Sequence, residues 1–173
     1  MAGSLIKIDE EIVTAAVASV TLTGIDSTYD VYMVAMNKVS PVDTGGVNLY
    51  VRVTESGIAN TTANYDKANK RLRSDTSFGN DFATNQNYIN FQTALASLPY
   101  QENAILYLYN FNNASEYSFL TIESLAWYNS LNFLDGLQGG AVFTSASACD
   151  GIQFFMSSGN IDNGTFTLYG LKK

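Results

Sequence analysis

Apolar and polar residues alternate with a period of two along most of this chain, and this pattern constrains the fold more than any other feature. In residues 47–53, Val47, Leu49, Val51 and Val53 fall on one side, and Asn48 opens the polar side. Successive side chains of a β-strand point to opposite faces, so the pattern predicts a strand. The same alternation recurs in residues 30–39, 103–111, 118–126, 152–157 and 165–169. The chain is therefore predicted to be all-β, with the 103–111 strand, apolar on both faces, in a central place.

Turn signals rich in Gly, Asn and Asp separate these runs. They lie at residues 24–27, 43–46, 112–113, 135–136 and 163–164. Asn163-Gly164 is the strongest, because Asn-Gly supplies the two positive-φ positions of a type I′ turn. It predicts a terminal hairpin between residues 151–158 and 164–171. Short strands with turns at regular spacing are typical of a β-sandwich or barrel.

The sequence predicts little helix and a single domain. Residues 89–98 form the best helical candidate, a short helix ended by Pro99, whereas 57–70 and 74–88 are predicted to be polar loops or edge strands. A chain of 173 residues suits a single domain. We assign residues 13–173 to one β-sandwich domain. Residues 1–12 are either an N-terminal arm or the first strand of that domain.

The composition favours protein contacts over binding to nucleic acid or membranes. Charged residues make up 14% of the chain, and the net charge is −7 with nine Lys and Arg in total. This charged fraction is low, and neutral polar residues and 11 tyrosines take the place of charged ones. Aromatic residues are enriched at protein interfaces, where Lys, Glu and Asp are depleted. The one basic cluster, 67–73, is interleaved with acidic residues and is interpreted as a solvated strand or loop, not a phosphate-binding patch.

Membrane signals are weak as well. No segment approaches the roughly 18 apolar residues that a membrane span requires. The apolar stretch 12–24 contains Thr and Ser and lacks the basic region of a secretory signal. The sequence thus predicts a protein that does not cross a membrane through a cleaved signal, or one that leaves the cell by lysis.

The residues that usually perform catalysis are scarce. The chain has no histidine and a single cysteine, Cys149. A Ser-His-Asp triad and a zinc site of several Cys or His therefore cannot be built. No Gly-rich phosphate-binding motif is present. We expect no enzymatic activity and no cofactor or metal, and we expect Cys149 to be buried and structural.

A calcium site and a glycan-active site are two further candidates in the sequence. Asn160, Asp162 and Asn163 are spaced like calcium ligands, but turn chemistry explains them more simply. A glycosidase needs two facing carboxylates, and no pair stands out. Trp127 with Tyr128 and Phe133 is a possible sugar platform, although a lone Trp beside a strand is more often a core residue.

The N-terminal segment is the candidate contact site. Leu5, Ile6 and Ile8 are apolar residues set among charged ones. A free terminus frays unless something holds it. We expect a neighbouring subunit or a larger assembly to hold this segment, or else the segment to be the first strand of its own sandwich.

Both ends of the chain carry short distinctive phrases. The opening phrase is Leu22-Thr23-Gly24-Ile25-Asp26-Ser27-Thr28-Tyr29, and the closing phrase is Phe166-Thr167-Leu168-Tyr169-Gly170-Leu171-Lys172. The two phrases resemble those of a family of phage virion proteins. The resemblance implies a jelly-roll-like antiparallel β-sandwich with at most one or two short helices, in a protein made in the host cytoplasm. Members of the family are capsid decoration proteins or tail and fibre components.

The resemblance implies a structural role on the virion. The expected function is that of a capsid decoration, or cement, protein that binds the major capsid protein on the outer surface of a phage head. The alternative is a tail or fibre component that mediates assembly or host attachment. The uncharged, tyrosine-rich composition adds the expectation of a homo-oligomer, a trimer, with Tyr and Phe at its contacts.

Overall fold

The computed structural model describes residues 4–75, 78–95, 101–128 and 132–172, and these ranges contain strands and no helix. The strands are β1 (Ser4–Val13), β2 (Ser19–Thr23), β3 (Val31–Pro41), β4 (Val47–Glu55), β5 (Ile58–Ala59), β6 (Tyr65–Arg73), β7 (Gly79–Gln86), β8 (Ile89–Leu95), β9 (Glu102–Tyr109), β10 (Ser118–Tyr128), β11 (Phe133–Phe143), β12 (Gly151–Met156) and β13 (Ile161–Lys172).

The strands form two antiparallel sheets of unequal width. The large sheet has eight strands in the order β1-β13-β3-β9-β10-β11-β6-β7. The small sheet has the order β2-β12-β4-β5, and β8 also pairs with β4. The two sheets pack as a β-sandwich, which confirms the predicted fold class. The chain crosses repeatedly from one sheet to the other, so most contacts join residues far apart in sequence.

Residues from both sheets fill one continuous core. The large sheet contributes fully buried apolar side chains from β3, β9 and β13, and the small sheet contributes them from β2, β4 and β12. They are Leu22, Val34, Leu49, Leu106, Leu108, Ile152, Phe154, Phe166 and Leu168. Burying one such side chain stabilises the fold by roughly 1.5–3 kcal/mol, so this alternating set accounts for the pairing of the sheets.

Several predicted strands and turns are confirmed. The runs at 30–39, 47–53, 103–111 and 118–126 correspond to β3, β4, β9 and β10. β9 lies between β3 and β10, so its predicted central place is also correct. The turns at 24–27, 43–46 and 112–113 lie between strands.

The predicted hairpin across Asn163-Gly164 is wrong. β12 lies in the small sheet, whereas β13 lies in the large sheet between β1 and β3. Asn163 and Gly164 lie inside β13, where the pairing with β3 shifts register, as at a β-bulge. A Cβ on Gly164 would lie 3.0 Å from Val39 Cγ2, so glycine is needed there for a close approach of two strands.

Two other local predictions are also wrong. Residues 89–95 form β8, not a helix, because they pair with β4; residues 96–98 lie outside the described residues. Asp135-Gly136 is not a turn but the middle of β11. In both places the local pattern is overridden by pairing with strands distant in sequence.

The residues of the opening and closing phrases meet in the fold. A Cβ on Gly170 would lie 2.3 Å from Cδ2 of Tyr29, so the Tyr29 ring packs directly on the backbone of β13. Nearby, the Tyr32 hydroxyl accepts a hydrogen bond from the Asp26 N–H at 2.9 Å and donates one to the Asp26 carbonyl at 2.8 Å. These contacts fix the turn between β2 and β3 against the large sheet.

Candidate interaction surface

The large sheet has one face in the core and one face in solvent. Because side chains alternate, the outward positions of its central strands follow from the buried ones. On β3, β9, β10 and β11 the outward residues are Val31, Met33, Ala35, Asn37, Asn103, Ile105, Tyr107, Tyr109, Phe119, Thr121, Glu123, Leu125, Trp127, Leu134, Gly136, Gln138, Gly140 and Val142. We call this set the outer face.

The outer face is apolar and partly exposed. Five of its large side chains are between 38% and 51% exposed: Ile105, Phe119, Leu125, Trp127 and Leu134. Phe82 on the edge strand β7 is 77% exposed and extends the apolar surface beyond β6. Single exposed apolar residues are normal, but a contiguous patch on a rigid sheet is typical of an interaction site.

The outer face carries almost no charge. Glu123 is its only charged residue, and its Oε1 accepts a hydrogen bond from Gln138 Nε2 at 3.0 Å. The cross-strand neighbours of Glu123 are Ile105 on β9 and Gln138 on β11. The surface thus has the charge-depleted, aromatic composition found at the centre of protein interfaces.

Two shallow grooves mark this side of the large sheet. One has a volume of about 600 Å³ and runs past Ala35, Ile105, Leu125 and Gln138. The other has a volume of about 560 Å³ and is lined by Tyr109, Phe119, Thr121, Gly140 and Ala68. The exposed side chains between and beside these grooves form ridges, so the surface has both projections and depressions.

The proposed sugar platform is not assembled. Trp127 faces outward opposite Leu134, whereas the Tyr128 and Phe133 rings stack on each other at 4.9 Å. Phe133 is buried, and the guanidinium of Arg73 lies 4.1 Å from its ring centre. Trp127 is also not a core residue, as a lone Trp beside a strand usually is. It belongs to the outer face.

The N-terminal candidates lie on β1, an edge strand of the large sheet that pairs with β13. Leu5 and Ile6 are exposed, and Ile8 packs against the core beside Gly24. Asp9 Oδ2 accepts hydrogen bonds from the N–H and the hydroxyl of Thr23, which ties β1 to the small sheet. Leu5 and Ile6 therefore remain available for contact with a partner, whereas Ile8 is engaged by the core of its own chain.

The basic cluster lies on β6 and is only partly solvated: Lys70 is exposed and Arg71 and Arg73 are half-buried, whereas Lys67 is buried, which corrects the expectation for that residue. Lys67 is buried, and its Nζ contacts Asp81 at 2.6 Å and the Asn90 carbonyl at 2.6 Å. Arg71 pairs with the buried Asp135. Arg73 pairs with Asp75 at 2.8 Å. Lys67, Arg71 and Arg73 are each paired with a carboxylate, so the cluster does not form an open basic surface.

A second carboxyl group lies in the interior near Asp135. Glu102 is fully buried, and neither of its carboxyl oxygens has a hydrogen-bond partner. Burial, with the nearby charge of Asp135, raises the pKa of Glu102 well above its ordinary value. Alternation alone did not mark this residue, because Glu102 precedes the apolar run that identified β9.

The remaining candidates are structural. Cys149 is fully buried, as expected, and burial raises the pKa of its thiol to about 11. Of the proposed calcium ligands, Asn163 donates from Nδ2 to the Lys38 carbonyl at 3.1 Å. The Asn160 carbonyl accepts from the Val42 N–H at 3.0 Å. Across the described ranges, no group of three or more Asp, Glu or Cys side chains is placed to hold a metal ion.

Comparison with known proteins found no match to a family model, to a curated protein or to a solved structure. Among the described residues, no helix is long and apolar enough to cross a membrane.

Proposed function

We propose that this chain is a virion structural protein of a phage, a capsid decoration protein that binds the outer surface of the head as a homotrimer. Its partners are the major capsid protein and further copies of itself. It acts by contact, without catalysis, cofactor or metal.

The observation that carries this proposal is the apolar outer face on a rigid eight-stranded sheet. A chain that worked alone would leave Phe119, Leu125 and Trp127 in water. Covering such side chains removes apolar area from water, which favours association by roughly 25 cal/mol per Å² before the costs of binding. A protein whose role is contact uses this surface, and the resemblance of the opening and closing phrases points to the virion as the setting.

The N-terminal edge supplies a second contact for the shell. Leu5 and Ile6 lie at the start of β1, at the far side of the large sheet from β7. Apolar residues at this edge can engage the major capsid protein while the outer face engages other copies. The two kinds of partner are thus assigned to two separate surfaces.

Copy number in the assembled particle tests the function. Quantitative mass spectrometry of purified virions should find this chain at a number approaching that of the major capsid protein. Purified chain added to heads that lack it should co-sediment with them to saturation. A few copies per particle, found with the tail after heads and tails are separated, would contradict the decoration role and favour a tail or fibre component.

A further inference from the structure

We propose that the outer face of the large sheet is the surface through which copies of this chain bind one another, and that its occupant is another copy of the same chain. The inference deepens the proposed function, since it rests on the chain acting as an oligomer, and it identifies the face that forms the contact. In the proposed trimer, three outer faces surround one axis.

Charge is the first reason to choose another copy as the occupant. Every copy carries a net charge of −7, so two copies repel each other over most of their surfaces. The outer face has one charged residue, Glu123, which Gln138 already engages. Identical chains can therefore approach through this face with the least electrostatic cost. A strongly basic partner would instead require a cluster of carboxylates, and the outer face has none.

Area is the second reason. β3, β10 and β11 have 11 residues each and β9 has 8, which corresponds to lengths of roughly 36 Å and 26 Å at about 3.3 Å per residue. At a spacing of about 4.8 Å between strands, the four strands cover about 650 Å². A stable interface of standard size buries about 800 Å² per partner, so the outer face supplies most of that area.

Shape is the third reason. In a ring of three copies each outer face meets both neighbouring copies, so the same face must hold projections for one neighbour and depressions for the other. Phe119 and Leu125 project from β10, and each lies beside one of the two grooves. Gly140, opposite Thr121, adds no side chain to the floor of the second groove. Ridges of one copy can therefore enter grooves of the next.

The free edge at β1 is a poorer route for self-association. An open edge invites pairing with another chain, and proteins oppose this with charges and bulges. β1 has both. Its pairing with β13 shifts register at Ile8, and the charged residues Lys7, Asp9 and Glu10 surround that point. Addition of a second copy edge to edge is disfavoured, which leaves the outer face as the self-contact.

Charge insertion tests the proposal. Leu125→Glu places a second carboxylate on the outer face, two residues along β10 from Glu123, and Ile58→Glu makes the same change at a 73% exposed residue on β5 of the small sheet. Sedimentation equilibrium should show an oligomer for the wild type and for Ile58→Glu. Leu125→Glu should weaken self-association at least about 100-fold, because like charges would face each other in a dry contact. Phe119→Ser should weaken it in the same direction without adding charge.

The controls separate this inference from the proposed function. Each variant must keep the wild-type circular-dichroism spectrum and urea midpoint, which an outward substitution allows. A wild-type chain that stays monomeric at micromolar concentration in low and high salt would overturn the inference, as would a Leu125→Glu chain that associates like the wild type. Head binding of the wild-type chain is measured separately by co-sedimentation. A wild-type chain that binds heads but does not self-associate contradicts the inference alone, whereas one that self-associates but does not bind heads contradicts the decoration role alone.

Discussion

Among the described residues, Glu102 is a buried acid without a charged partner, whereas the other buried charged side chains, Lys67 and Asp135, are paired. Lys67 has Asp81, and Arg71 has Asp135, whereas both carboxyl oxygens of Glu102 lack a partner. A buried ionised carboxylate without a partner is costly, so the group keeps its proton in the folded chain. The raised pKa makes Glu102 a source of pH-dependent stability.

The sign of that dependence follows from linkage. The pKa of Glu102 in the folded chain lies above its pKa in the unfolded chain. Its contribution to the free energy of unfolding is therefore fully present at acidic pH, below the pKa of the unfolded chain. It is lost as pH rises through the folded pKa. Within that window, stability falls by about 1.4 kcal/mol per pH unit. Glu102→Gln keeps the shape and removes the ionisation.

We therefore expect Glu102→Gln to abolish this part of the pH dependence and to gain stability relative to the wild type as pH rises. Urea unfolding of both chains between pH 4 and 9 measures the difference. Glu116→Gln, at an exposed loop residue, is the control and should follow the wild type. A constant difference between Glu102→Gln and the wild type across the whole range would contradict the prediction.

The contact of Tyr29 with Gly170 belongs to the scale of the elements, because it joins the turn before β3 to the last strand. No side chain larger than hydrogen fits at residue 170 without moving the Tyr29 ring. Gly170→Ala should destabilise the fold by about 1–3 kcal/mol, the usual cost of overpacking. Chemical unfolding measures it.

Gly79→Ala in β7 is the matched control for that substitution. The nearest atom to its added Cβ would be Arg71 Cβ at 3.8 Å, an ordinary contact. It should change stability by less than about 0.5 kcal/mol. Equal effects of the two substitutions would show that the Tyr29 contact carries no special weight.

The first strand offers a second test at this scale. Deleting residues 2–8 removes Leu5 and Ile6 but keeps the Asp9–Thr23 hydrogen bonds and the pairing of residues 10–13 with β13. We expect the deleted chain to remain folded, with some loss of stability, and to bind heads more weakly. Circular dichroism and co-sedimentation check the two parts. If the isolated domain unfolds, the segment is needed first as part of its own sandwich.

Local sequence patterns predict single strands better than they predict their neighbours. Alternation identified β3, β4, β9 and β10 because each has a buried side and a more open one. Asn163-Gly164 misled because the dipeptide that makes a tight turn also suits a bulge, and which of these forms depends on β1 and β3. Strand order is set by contacts between distant residues, which no window of sequence contains.

At the scale of the whole molecule, the two-layer arrangement of the sheets explains the candidate surface. The large sheet has its inner face in the core, while its outer face stays open. In the sequence, only residues 103–111 indicated an apolar outer side, because the predicted strand there is apolar on both faces. The alignment of Ile105, Leu125 and Trp127 on one face depends on the register of β9, β10 and β11. Composition predicted an interface, and only the strand pairing shows which apolar residues share one face.

An image reconstruction of the assembled phage particle tests the central claim most directly. We expect density for this sandwich on the outside of the head, repeated with the symmetry of the shell, with the outer faces of neighbouring copies turned toward one another and β1 toward the major capsid protein. A head whose outer surface lacks this density, or copies that stand apart with Phe119 and Leu125 open to solvent, would contradict the account.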